Sequence, residues 1–216
     1  MARRSCQTLG NCKRLLSVPN IAEYIAGIGA SPLAPWAGLQ PWEITAQAPS
    51  IVEQLLASLP VGEYRVLSGI AIHSSAVIES GATLKPPLVL SCVFVAADAY
   101  LRGGCWLAEG CSVGPEVELK STFVFPRSVL AHFNFIGDSV LGSQVNFEAG
   151  AVICNYRNER SINSASSPVK FGALVGDGAR IGANAVLAPG TILLSNSVVG
   201  RLEHVDQERQ PRIPVA

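Results

Sequence analysis

Three observations in the 216-residue sequence predict an all-β solenoid of triangular coils, preceded by a short helical segment. Large aliphatics recur at every sixth position from residue 72 onward. Glycine is abundant, with 20 residues against a single methionine, which favours many tight turns over a helical bundle. The positions between the aliphatics are filled by Gly, Asp, Asn, Ser and Pro, as in "VGDGARIGANAVLAPG".

Ile72, Ile78, Leu84 and Leu90 form the first run of the beat, and Val95, Leu101, Leu107, Val113 and Leu119 follow after a one-residue slip. Leu141, Phe147 and Ile153 keep step, then Val175, Ile181, Leu187, Leu193 and Val199. Between Lys120 and Leu141 the register is blurred. Small residues or valines tend to stand four after each beat, for example Ala76, Ala99, Cys111, Ala151 and Ala185. A period of six matches neither the 3.6 of a helix nor the alternation of a simple strand. It suits short flat sides that each turn one aliphatic inward, with corners able to take positive φ. Three sides close an 18-residue coil, and coils stack at strand spacing, about 4.8 Å. The period, with a turn residue after the aliphatic, resembles the hexapeptide repeat of left-handed parallel β-helix proteins; the handedness comes from that resemblance.

Residues 1–68 lack the beat. "PNIAEYIAGIG" and "APSIVEQLLASLP" have helical spacing, the second with Ile51, Leu55 and Leu59 on one face and Pro60 as a stop. This part is expected to be a helical cap or linker on the first coil, covering the solenoid's open end. The solenoid is expected over 69–200, with an inserted loop at 154–172 of the kind that lies at the surface and often covers a binding site. Residues 201–216 read as a polar tail.

Charged residues make up 15% of the chain, and Lys+Arg equals Asp+Glu at 16 each, so no basic excess points to nucleic acid. No apolar run reaches membrane-span length, and the basic start has no continuous apolar core, so a cytoplasmic setting is the expectation. Cys6, Cys12, Cys92, Cys105, Cys111 and Cys154 form no C-x-x-C pair. With His73, His132 and His204 dispersed, no metal site is expected, and a carbonic anhydrase on this fold is disfavoured. The thiols read as reduced core fillers.

Arg102 and Lys120 are 18 residues apart, which stacks them on one corner, one rung apart. Such a pair either splays into solvent or seats an anion such as phosphate. His132 follows twelve residues after Lys120. An imidazole can exchange a proton near neutral pH, yet the same residue can serve as a hydrogen-bonded corner. Asn146 and Tyr156 suit either a polar ligand or local packing. The residues alone leave both readings open.

The stretch from "YLRGGCWL" through "VELKS" and "AHFNFIGDSVLGSQVNFEAGAVICNY" resembles the acetyltransferase domain of bifunctional glucosamine-1-phosphate acetyltransferase/N-acetylglucosamine-1-phosphate uridylyltransferase. It is also similar to the C-terminal domains of related sugar-phosphate nucleotidyltransferases. The resemblance spans about residues 70 to 200 and is most specific over 100 to 156. It implies that Arg102 and Lys120 bind a sugar phosphate and that His132 is the catalytic base. Asn146, Ala149 (through its backbone) and Tyr156 would contact the substrate. It further implies acetyl-CoA as co-substrate, a small sugar phosphate as acceptor, and a homotrimer with sites between subunits. The departures are specific. Phe135 stands where the family commonly has tyrosine, Ser161 where it has a loop lysine, and Ala183 where it has a CoA-contacting serine. Arg157, Arg160 or Lys170 are candidates to replace that lysine. Glu148 replaces the glycine of the usual N-x-G-A-G turn, where a carboxylate would block the pocket, repel a phosphate or meet an amine. The uridylyltransferase half has no counterpart in residues 1–68. Two rival readings are a non-catalytic sugar-phosphate or nucleotide-sugar binding module and a detached half of a nucleotidyltransferase.

Overall fold

The computed structural model describes residues 20–158 and 170–208, and it is a parallel β-solenoid with three faces. The first face carries eight strands, from Tyr64–Leu67 and Ile70–His73 through Leu88–Leu90, Cys105–Leu107, Phe123–Val124, Val140–Leu141 and Ala173–Val175 to Thr191–Leu193. The second face runs over seven strands from Val77–Ile78 to Val198–Val199, and the third over seven from Thr83–Leu84 to His204–Val205. All pairings are parallel except the first, where Tyr64–Leu67 runs antiparallel to Ile70–His73. The last rung includes His204–Val205, paired with Val186–Leu187, so the solenoid runs past the expected boundary at 200.

The axis is filled by the residues of the six-residue beat. Leu90, Leu107, Val124, Leu141 and Val175 stack on the first face, Val113, Leu130, Phe147 and Ile181 on the second, and Leu101, Leu119, Ile136 and Ile153 on the third. The blur after Lys120 has a simple cause: two corners are one residue short. Leu119 to Val124 and Ile136 to Leu141 are steps of five, turning at Ser121 (φ 50°) and Asp138 (φ 48°) in the left-handed region. The beat therefore continues through Leu130 and Ile136.

The N-terminal segment is not on the open end. It lies lengthwise along the first face, where outward side chains Ala71, Val89, Trp106, Phe123, Val140 and Leu174 form an apolar column. Ile21, Ile25, Ile28, Leu33, Ile44, Ile51, Val52 and Leu55 bury that column, which amphipathic strand alternation would otherwise leave wet. "APSIVEQLLASLP" supplies the helix α2 seen at Ala48–Ala57, and a short helix α1 at Pro41–Ala46 arises within the stretch expected to be a connection. Pro41 opens α1, and the Glu43 carboxylate accepts the Gln40 N–H at 2.8 Å, the arrangement of a capping box. "PNIAEYIAGIG" forms 3-10 turns at Ile21–Glu23 and Ile28–Ala30. Its far end is pinned to late rungs: Tyr24 O accepts from Asp177 N at 2.9 Å and Ser195 Oγ at 3.0 Å, and Asp177 Oδ2 accepts from Ala26 N at 2.9 Å. No helix among the described residues is long and apolar enough to cross a membrane.

Gly104 marks the closest approach of segment and solenoid. Its φ is +85°, and a Cβ there would stand 2.6 Å from the backbone of Ala48 and Pro49 at the start of α2. Gly104→Ala is expected to destabilise the fold by about 1–3 kcal/mol through overpacking, with the left-handed strain added. Equilibrium denaturant unfolding checks it; an unchanged midpoint would contradict this packing.

Candidate functional site

The predicted residues other than Asn146 gather around the third face and its two corners. Arg102 and Lys120 are Cα partners on adjacent strands, Tyr100–Arg102 and Glu118–Lys120, at the edge where the third face turns to the first. Glu118 and Phe135 are likewise partners and lie further along the same face. His132 occupies the opposite corner, where the second face turns to the third, and its side chain is exposed with no hydrogen bond among the described residues. Ala149 stands beneath it, one rung on, since Gly150 N donates to His132 O at 2.9 Å. Asn146 points outward from the second face between Val129 and Arg180, around the corner from the cations. Tyr156 is exposed where the insertion leaves the third face. One side of the solenoid thus joins the two cations, Phe135 and the corner bearing His132, while Asn146 belongs to the neighbouring side.

The stacked cations are each matched by a carboxylate. Arg102 donates through Nε (2.9 Å) and Nη2 (2.6 Å) to Glu118 Oε1, and its guanidinium lies 5.7 Å from the Tyr100 ring centroid. Lys120 Nζ reaches both oxygens of Asp138 at 2.7 and 2.8 Å, and Asn155 Nδ2 donates to the same carboxylate. Asp138 is only 7% exposed, so three hydrogen bonds from two side chains offset its burial. The "FIGD" motif has a matching local reason. A Cβ on Gly137 would sit 2.5 Å from Asn155 Nδ2, so glycine leaves room for the amide that holds Asp138. The stack expected from the 18-residue interval is present, and its like charges are offset by carboxylates of the protein itself, on the same face and corner. Arg102 keeps Nη1 without a partner among the described residues.

Glu148, the residue that breaks the family's turn, is also occupied. It takes Arg201 Nε and Nη2 at 2.7 Å each, and its Oε2 accepts the Ala183 N–H at 2.8 Å. The Arg201 hydrogen bonds, with Ala183 N–H second, hold its carboxyl down to about 2. The carboxylate is directed along the corner towards later rungs and carries a matched charge. Among the proposed loop cations, Arg157 is committed to structure: it binds both oxygens of Asp206 and donates to Pro189 O at 2.9 Å, tying the insertion to the last rung. Lys170 is exposed, and Ser161 and Arg160 lie outside the described residues. Burial pushes the thiols of Cys105 and Cys111 up to about 11, in keeping with inert core fillers. Cys92 is exposed, and its surroundings were not legible as a site in the sequence.

The three-faced parallel solenoid and its six-residue repeat give the chain the fold of hexapeptide-repeat β-helices. Its sequence is similar to part of the bifunctional protein GlmU. The similarity is 28% identity over 156 residues for Xanthomonas axonopodis pv. citri, covering 69% of this chain and 33% of the relative. For Bordetella parapertussis it is 31% over 159 residues, covering 71% and 34%. For Carboxydothermus hydrogenoformans it is 37% over 102 residues, covering 47% and 21%. The chain thus spans about a third of the length of the first two relatives. No protein-family model matches the chain. Among solved structures, a hexapeptide transferase family protein from Anaplasma phagocytophilum aligns at 17% identity over 62% of this chain and 75% of that one, with a TM-score of 0.31. PerB from Caulobacter crescentus, in complex with CoA and GDP-perosamine, aligns at 19% over 60% and 50%, with a TM-score of 0.27.

The Glu148–Arg201 pair yields a direct test. A carboxyl lowered in the folded state contributes stability that is full above its ordinary value of 4.5 and is lost as pH falls through about 2. Arg201→Ala is expected to move the Glu148 titration midpoint up towards 4.5, read from its carboxyl carbon by NMR. An unmoved midpoint would mean that Ala183 N–H alone holds the charge.

Proposed function

We propose that the chain is an acyltransferase that moves an acetyl group from acetyl-CoA to the amino group of an amino sugar phosphate or similar sugar derivative. The observation that carries this reading is the shared side of Arg102, Lys120 and His132, within the stretch similar in sequence to the GlmU proteins. In the proposed reaction His132 takes a proton from the sugar's amino group as its nitrogen attacks the thioester carbonyl. Coenzyme A leaves as the thiol by taking that proton from His132, and backbone N–H groups stabilise the oxyanion that forms on the way. The reaction needs no covalent enzyme intermediate and no metal.

Arg102 Nη1 supplies the first anchor for the phosphate, while Lys120 exchanges part of its contact with Asp138 for the ligand. Phe135 offers a flat apolar wall but no hydroxyl, which favours an acceptor that is not hydrogen-bonded at that point. Asn146, the Ala149 backbone and Tyr156 hold the remaining polar groups, with Glu148 as a modifier of the pocket rim.

A homotrimer fits this reading. The N-terminal segment occupies the first face, which leaves the second and third for neighbours. Exposed Val77, Phe94, Val129 and Val198 stand in the outward column of the second face, a surface that gains from being covered. Asn146, which lies in that same column, would then come close to the third face of the adjacent copy.

Thiol release from acetyl-CoA with a panel of amino sugar phosphates tests the proposal. Wild-type turnover that falls about 10²- to 10⁴-fold in His132→Ala is the expected result. Undiminished turnover in the variant removes His132 from the chemistry. Phosphosugar binding without turnover in either protein favours a binding module.

A further inference from the structure

A second group of reactive side chains lies away from this site, at the corner between the first and second faces on the opening rungs. Cys92 follows the strand Leu88–Leu90 at a corner shortened by one residue, since Leu90 to Val95 is a step of five. That short turn brings its thiol beside the preceding rung, where His73 ends the strand Ile70–His73. His73 Nδ1 is 3.3 Å from Cys92 Sγ, and Ser75 Oγ lies 2.8 Å from both. The backbone N–H of Ser75 donates to Nδ1 at 3.2 Å, which assigns Nδ1 as an acceptor and leaves the ring proton on Nε2. Nε2 in turn faces Glu63 Oε2 at 4.0 Å, a distance at which the carboxylate acts through its charge rather than a hydrogen bond. The Tyr64 ring packs edge-on against the imidazole, centroids 5.0 Å apart, and limits its swing.

These groups open onto a cleft of about 730 Å³ between the N-terminal segment and the first face, a size typical of small-molecule sites. Its walls are largely apolar, with Leu55, Leu59, Val89, Trp106 and Phe125 among them, and Glu63, His73 and Cys92 line it together. Ser91, beside Cys92, accepts a hydrogen bond from Tyr64 Oη at 3.1 Å, so its own hydroxyl proton is available to a ligand.

We propose that Cys92, His73 and Glu63 form a nucleophilic thiol site that accepts an acyl group from a thioester with an apolar chain, the chain lying in this cleft. Thiol, unprotonated imidazole nitrogen and carboxylate follow one another in the order a base-assisted nucleophile requires. Sγ attacks the thioester carbonyl while its proton passes to His73 Nδ1. The acyl–sulfur bond of the donor breaks, and the departing thiolate takes that proton from His73. The products are an acyl thioester on Cys92 and the free donor thiol, with no change of oxidation state. Glu63 stabilises the imidazolium that exists between the two proton transfers, and the Ser91 hydroxyl faces the developing oxyanion. This site is independent of the one around His132.

The test incubates the intact protein with octanoyl-CoA or acetyl-CoA and follows the adduct by intact mass and peptide mapping. The expected result is one hydroxylamine-labile octanoyl group on Cys92, formed faster than the acetyl adduct and absent in Cys92→Ser. His73→Gln and Glu63→Gln should each slow octanoylation at least about tenfold. Both should still react with iodoacetamide at Cys92, which shows that the thiol remains accessible. Glu63 is 59% exposed, so its variant keeps the fold intact even where His73→Gln does not. Acylation spread over other cysteines, equal rates for the two donors, or wild-type rates in the Glu63→Gln protein would overturn the proposal.

Discussion

Each side of a coil must present one aliphatic to the axis while its backbone stays in register with the coils above and below. A slip of one residue within a strand would turn every following side chain to the opposite face. This chain keeps its strands aligned by placing all irregularity in the corners. Steps of five and six residues, and an excursion of more than twenty between Ile153 and Val175, all return the next strand to its proper face. Outward side chains are therefore fixed as firmly as inward ones. Arg102 beside Lys120, and His132 above Ala149, follow from the stack as directly as its apolar filling does.

Fixed columns bring like side chains together, and the structure meets that problem with local pairing. Glu118 stands on the same strand as Lys120 yet serves Arg102 on the rung before, while Asp138 serves Lys120 from the rung after. The result is a staggered row of alternating charge along one edge of the third face. Glu148 and Arg201 make a similar link along another edge, spanning the insertion. An anion arriving at the cations meets a surface already near neutrality, so recognition depends on geometry and on exchange of partners more than on long-range attraction.

The fold was legible because its signal is repetitive: Leu90, Leu107, Leu119, Phe147 and Ile181 all stand where the beat put them. Local turn chemistry was less so. Ser121 and Asp138 shorten two corners through left-handed backbones that no short pattern announces, and this hid the register around His132. The seat of the N-terminal segment was missed for a different reason. Helical spacing shows that Ile51 and Leu55 need cover, but not which surface offers it; the outward Val89, Trp106, Phe123 and Val140 give the answer only once the strands are stacked. Of the candidate site, the Arg102–Lys120 stack could be read from an 18-residue interval. Glu148–Arg201 could not, since its interval includes an insertion. His73 and Cys92 were obscured by a short corner.

The long reach of the N-terminal strip has a consequence for how the molecule is made. Tyr24 leaves the ribosome roughly 150 residues before Asp177 and Ser195, the two residues that receive its carbonyl. The coils can wind progressively from neighbour contacts, but the strip has no complete seat until the late rungs exist. Throughout that interval its isoleucines and the waiting tryptophan and phenylalanines of the first face are exposed together. Docking of the strip thus waits for the rungs that bear Asp177 and Ser195, and its apolar surface is open to aggregation until then.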